Sequence, residues 1–191
     1  MKFNKFKTII FFFSILLLAS CQSEYTKLVK KELASGVKHD TILFDLSFGN
    51  TKKEFYEICW DLNKRGIATH GENNNYVKTI LGLKDTLNKI KKIKLAFYAR
   101  FSEKDIIRGI DMKFTYTAWA PWNKELTAEK LLPSVKDTLL KWYPGNPFLK
   151  LKKGTLVKVD GNRQIQLKVR TDKEVSVLIE DLSYKYKILV E

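Results

Sequence analysis

Ile93-Lys94-Leu95-Ala96-Phe97-Tyr98-Ala99-Arg100-Phe101 and Ile110-Asp111-Met112-Lys113-Phe114-Thr115-Tyr116-Thr117 are two alternating runs, with turn residues at Ser102 to Asp105. Apolar side chains fall at Ile93, Leu95, Phe97, Ala99 and Phe101 in the first run. They fall at Ile110, Met112, Phe114 and Tyr116 in the second. A period of two marks a strand with one buried face, because successive side chains point to opposite sides of the pleat. The spacing predicts a long antiparallel hairpin with its aromatic face inward, the cross-strand pairs packing against a core.

An apolar sheet face needs a cover, and the flanking sequence supplies helices. Thr51-Lys52-Lys53-Glu54 is a capping box, in which Thr51 accepts the Glu54 N–H and Glu54 reaches back to the Thr51 N–H. Phe55, Ile58, Cys59 and Leu62 then share one helical face, and Gly66 is placed to stop the helix after Arg65. A second helix follows Thr127, with Ala128, Leu131, Leu132, Val135, Leu139 and Trp142 as its apolar stripe. Pro133 kinks it or marks its regular start. Pro144-Gly145-Asn146-Pro147 ends it.

Strands are expected around both helices. Tyr76 to Leu83 reads as one strand, after a polar loop at Glu72 to Asn75. The tail reads as all β, beginning with a hairpin at Asp160-Gly161. Ile165, Leu167 and Val169, then Val175, Val177 and Ile179, continue it. Tyr184, Tyr186, Ile188 and Val190 suggest a last strand. Upstream, Tyr25 to Ser35 has helical spacing, and Ile42 to Phe48 alternates like a short strand. Helices segregated from runs of antiparallel strands define an α+β fold with helices on one side of the sheet. The order α-βββ occurs twice, with helix-starting threonines at 51 and 127. This suggests two tandem units, at 36–117 and 118–191, within one domain at 21–191.

The N-terminus has its own logic. Lys2, Lys5 and Lys7 precede an apolar run from Thr8 to Leu18, which is shorter than the roughly 20 residues of a bilayer crossing. This is an export signal at 1–20. Leu18-Ala19-Ser20-Cys21 resembles a bacterial lipobox. The resemblance implies cleavage before Cys21, acylation of its sulfur and its amine, and a lipid-anchored protein of the envelope. Gln22 rather than aspartate after the cysteine, and a single acid at Glu24, imply the outer membrane and a periplasmic face. Phe48-Gly49-Asn50-Thr51-Lys52-Lys53-Glu54-Phe55 resembles the entry to the helical layer in small envelope lipoproteins of the outer-membrane assembly type. A tandem of such units resembles a β-lactamase-inhibitor-like fold.

Composition narrows the partners. Apolar residues make up 45% of the chain and aromatics 13%, which excludes global disorder. The formal charge is +14, and three of those lysines lie in the signal. A basic balance favours anionic partners such as lipid head groups or glycans. Nucleic acid is not expected outside the cytoplasm. Lys92, Lys94 and Arg100 mark the outward side of one strand. Lys158, Lys168, Arg170, Lys185 and Lys187 are expected to share a solvent face of the last sheet and form an anion-binding candidate. Trp119 and Trp122, in the loop Trp119-Ala120-Pro121-Trp122-Asn123, are candidate partner contacts, since aromatic anchors dominate interfaces.

Signatures of catalysis are missing. The sequence holds no Gly-x-Ser-x-Gly, His-Glu-x-x-His, Cys-x-x-Cys or phosphate-cradling loop. Cys59 reads as a core residue, His39 and His70 as loop residues, and no cofactor or metal is called for. The leading expectation is non-catalytic binding or scaffolding in envelope assembly. The alternatives are an anion binder using a basic sheet face, and a hydrolase whose site carries no known motif. A deep pocket holding a histidine beside a buried carboxylate would favour the last.

Overall fold

The computed structural model describes residues 23–72, 76–84 and 90–188. Cys21 and the lipobox, most of the polar loop at 72–75, and Val190 lie outside the described residues. Helix α1 (Glu24–Ala34) comes first, then a small hairpin of β1 (Thr41–Leu43) and β2 (Leu46–Ser47). Helix α2 (Lys52–Lys64) is followed by β3 (Thr69–His70), β4 (Val77–Lys84), β5 (Ile90–Phe101) and β6 (Ile107–Tyr116). Helix α3 (Ala128–Trp142) is followed by β7 (Leu149–Lys150), β8 (Leu156–Asp160), β9 (Arg163–Val169) and β10 (Val175–Asp181). Helix α4 (Leu182–Ile188) is the last described element.

The fold is α+β. Strands β3 to β10 form one antiparallel sheet in the order β3-β4-β5-β6-β10-β9-β8-β7. Each helix–strand series builds inward from its own edge, and the two last strands, β6 and β10, pair at the centre. The order therefore reads the same from either edge. Helices α2 and α3 are each followed by four strands rather than three, because a two-residue piece, β3 or β7, precedes each set.

The founding hairpin forms as its alternation requires. Ile93 pairs with Tyr116, Leu95 with Phe114, Phe97 with Met112 and Ala99 with Ile110, and all eight are buried. The register shifts between Arg100 and Phe101, next to the turn. Across the seam, Ile179 faces Ile110 on one side and Ile165 on the other, so one apolar layer runs through both series. Helices α2 and α3 lie on that layer through Phe55, Leu62, Leu131, Val135 and Leu139. Each such side chain contributes about 1.5–3 kcal/mol by leaving water. The capping box of α2 is complete, and Gly66 (φ +69°) takes the left-handed stop. Thr127 sits at the N-cap of α3 without a side-chain cap bond. The Ala128 N–H there donates to the carbonyl of Asp172 instead. Pro133 lies inside one continuous helix, exposed on its outer side.

The opposite face of the sheet is covered at one corner. Val157 and Val159 of β8 pack there with Val29 of α1 and Leu182 at the start of α4. This added layer explains two departures from the sequence reading. The segment after Asp181 is a helix, not a last strand. Strand β10 already has neighbours on both sides, and Asp181 accepts the Ser183 N–H to turn the chain. Residues 42–48 fold back on themselves rather than running straight, with Phe44 at φ +52°. The turn lets Ile42, Leu43 and Leu46 all bury while the Phe44 ring meets Phe97 at 5.8 Å.

Candidate functional site: the open sheet face and its aromatic groove

Because α2 and α3 cover one face and α1 and α4 only a corner of the other, the middle of the second face is uncovered. Strand register lays out its residues. Lys78, Ala96, Lys113, Ser176 and Lys168 form one row across five strands. Neighbouring strands lie about 4.8 Å apart, so the three lysines of that row recur at roughly 10 Å intervals. The row beyond brings Ile80 beside Lys94 and Lys94 beside Thr115. On the other side, Tyr98 faces Asp111, which faces Leu178, which faces Gln166. Arg100 bridges back with a two-pronged contact to Asp111, Nε to Oδ2 at 2.6 Å and Nη2 to Oδ1 at 2.9 Å. Lys113, Lys168 and Arg170 are exposed, and Lys113 lies 3.7 Å from Glu174. The face is basic but not uniformly so. Asp111, Glu174 and Glu180 sit among the cations.

Beside this face runs an apolar groove of about 560 Å³ between α2 and the β3–β4 edge. It exists because β4 begins only at Val77, opposite Phe97, so α2 rather than a strand flanks the end of β5. Phe55, Tyr56, Cys59 and Trp60 line one wall, and His70, Tyr76, Val77 and Tyr98 line the other. The Phe55 ring meets Tyr98 edge-on at 5.4 Å, and the Tyr56 and Tyr98 hydroxyls lie 3.2 Å apart. That hydrogen bond, with burial adding to it, pushes the Tyr98 phenol up to about 12. Burial alone pushes the Cys59 thiol up to about 12, so it remains a thiol at neutral pH. Trp60 and Tyr56 keep 63% and 51% of their surface exposed. Tyr76 and Tyr98 also line a hollow of about 460 Å³ on the open face, with Lys94, Asp111, Lys113 and Glu174. Groove and hollow thus adjoin, with Tyr76 and Tyr98 between them.

The sequence candidates separate in three dimensions. Lys168 and Arg170 stand on the open face as read. Lys158 does not: it is 0% exposed and points to the helix-covered side of β8. Its Nζ lies 2.7 Å from Asp160 Oδ2 and donates to the Asn146 carbonyl at 2.5 Å. Lys185 and Lys187 leave the sheet altogether, because their segment is α4. Lys185 there pairs with Glu180 at 3.3 Å. Lys78 and Lys113 complete the row in their place, with Lys94 one row away; β5–β6 alternation put Lys94 and Lys113 outward, but only the strand order adds Lys78 and aligns it and Lys113 with Lys168. Trp119 packs against the core with Lys173 5.3 Å over its ring, whereas Trp122 is 83% exposed.

Among the described residues, no carboxylate hydrogen-bonds to either histidine ring. His39 offers its backbone N–H to Asn162, and His70 is exposed at the groove. A polar cleft of about 620 Å³ holds Asp40, Arg108, Asn162 and Asp181. Asn162 donates to both Asp40 and Asp181, and Arg108 lies 3.6 Å from Asp181 and 4.5 Å over the Tyr184 ring. These contacts tie α4 and the 38–40 loop to the sheet. Among the described residues, no group of three His, Cys, Asp or Glu side chains is arranged to hold a metal ion. Among them too, no helix is long and apolar enough to cross a membrane.

Fold and site define an α+β protein with an open basic sheet face and an adjoining aromatic groove. No family model, no curated protein and no solved structure matches this chain.

Proposed function

We propose that this is a lipid-anchored envelope protein, held by Cys21 at the outer membrane and facing the periplasm, that works by binding rather than catalysis. Its ligand is anionic, a lipid head group or a glycan of the envelope, and it lies on the open sheet face. The observation that carries this reading is the cross-strand row Lys78, Lys113 and Lys168, flanked by Lys94 and Arg170, on the part of the sheet that no helix covers. A helix-free basic surface on a rigid sheet offers preorganised cations, and its attraction for anions falls as salt screens it.

The test is titration with polyphosphate across a salt series. Binding should weaken as salt rises and be lost when Lys94, Lys113, Lys168 and Arg170 are changed together to Glu. Binding indifferent to those reversals removes the reading. The anchor is tested separately by mass spectrometry of protein from its own host: acyl groups on Cys21 are expected, and a bare thiol or a retained leader refutes the address.

A further inference from the structure

We infer that the anionic ligand is an acidic polysaccharide, whose sugar rings stack in the groove on Trp60 and Tyr56 while its acidic groups reach Lys94 and Lys113. This rests on the binding function proposed above and names the ligand class. Three observations carry it. The groove is walled by aromatic rings that stay largely accessible, Trp60 63% and Tyr56 51% exposed, with Lys64 Nζ 5.6 Å over one face of the Trp60 ring. The apolar C–H face of a pyranose packs on such rings, and their hydroxyls bond the sugar rim. The groove also lies directly beside the basic hollow, with Tyr76 and Tyr98 as their common wall. A chain can therefore present rings to one part and charge to the other. Finally, Asp111 and Glu174 stand among the lysines of the hollow. Carboxylates are acceptors for sugar hydroxyls, which a polysaccharide offers between its acidic groups. A bilayer plane also meets protruding tips, and these rings line a trough between a helix and a sheet edge.

The experiment uses full-length protein purified from its host in mild detergent. Four probes separate the sources of affinity: polygalacturonate has rings and charge, dextran has rings only, polyphosphate has charge only, and mixed micelles containing phosphatidylglycerol offer lipid charge. Polygalacturonate should bind most tightly. Trp60→Ala should weaken it about tenfold, the effect of losing roughly 1.4 kcal/mol, and leave polyphosphate binding unchanged. Lys94→Glu with Lys113→Glu should weaken both. Tyr56→Phe, which keeps the ring, should retain most of the polygalacturonate affinity. If Trp60→Ala leaves polygalacturonate binding intact while the charge reversals abolish it, the ring platform is wrong but the anion-binding face stands. Tighter binding to the phosphatidylglycerol micelles than to polygalacturonate overturns the glycan in favour of lipid. If neither polyanion binds but the phosphatidylglycerol micelles do, the glycan is wrong and the anion-binding face stands; if none of the three anionic probes binds, this inference and the proposed function fall together.

Discussion

Lys158 and Glu32 show how charged side chains hold this molecule together. Lys158 has no contact with solvent, and its charge is balanced by Asp160 and by the Asn146 carbonyl. Gly145 lies so close that a Cβ there would sit 2.3 Å from Asp160 Oδ1. Removing one member of a buried pair strands the other charge. Lys158→Met should therefore lower stability by about 3–5 kcal/mol, read by urea unfolding. Lys168→Met, on the open face, should change stability by less than about 0.5 kcal/mol. Equal effects would mean that Lys158 is not a structural ion. Glu32 fastens α1 to the body. One oxygen accepts the Gly161 N–H at 2.9 Å, and the other accepts from the Asn146 amide at 2.9 Å. The Gly161 hydrogen bond, helped by Asn146, holds its carboxyl below the usual range. A lowered folded pKa means that this contribution is complete above the unfolded value of about 4.3, and is lost as pH falls through the folded one. Protection of the α1 amides, relative to their intrinsic exchange rates, should fall between pH 5 and pH 3 more than that of the β5–β6 amides. Glu32→Ala should already exchange quickly at pH 5, and no difference between α1 and β5–β6 would refute the latch.

Among elements, the seam between β6 and β10 is the most exposed to error, and Gly109 shows why. It lies opposite Arg100 on one neighbour and Glu180 on the other. A Cβ at this position would sit 2.8 Å from the Ile179 carbonyl oxygen, which is backbone and cannot swing away. Gly109→Ala should push β10 from β6 and destabilise by about 1–3 kcal/mol, in the range of overpacking, measured by thermal or urea unfolding. An unchanged midpoint would show that the seam has slack. The same scale shows what was legible in the sequence. Local chemistry carried the capping box at Thr51 and Glu54, the Gly66 stop, the Asp160-Gly161 hairpin and the β5–β6 alternation, because each depends on neighbours within a few residues. Three features were not legible, for reasons of packing. Strand β8 is covered on both faces, so Lys158 could not be told from a solvent lysine. The segment after Asp181 alternates like a strand, but a sheet with both neighbours of β10 filled has no place for one there. Phe44 turns the chain because burying Ile42, Leu43 and Leu46 together outweighs one left-handed residue. Of the site, the outward lysines of single strands were visible. The row that joins them depends on strand order, and the groove depends on β4 starting too late to cover the end of β5.

For the whole molecule, the shared sheet makes a thermodynamic statement. The two helix–strand series meet only along β6 and β10 in the sheet, yet the apolar layer through Ile110, Ile179 and Ile165 crosses that line without a break. Helix α3 spans it too, touching β4 and β6 of the first series as well as β9 and β10 of its own. Neither series can lose its layer without exposing the other's, so the body should unfold in one transition. Trp60 on α2 and Trp142 on α3 are natural reporters, one in each series. In variants keeping only one of these two tryptophans and replacing the remaining indoles by Phe, urea midpoints from both reporters and from circular dichroism should coincide. Ile179→Ala lies in the second series, fully buried, and should cost about 2–5 kcal/mol. It should move the Trp60 and Trp142 midpoints by the same amount. A shift confined to Trp142 would mean that the series fold as separate units. Rigidity of this kind is also what the open face requires, since cations spaced by strand register keep their spacing only while both series remain one sheet.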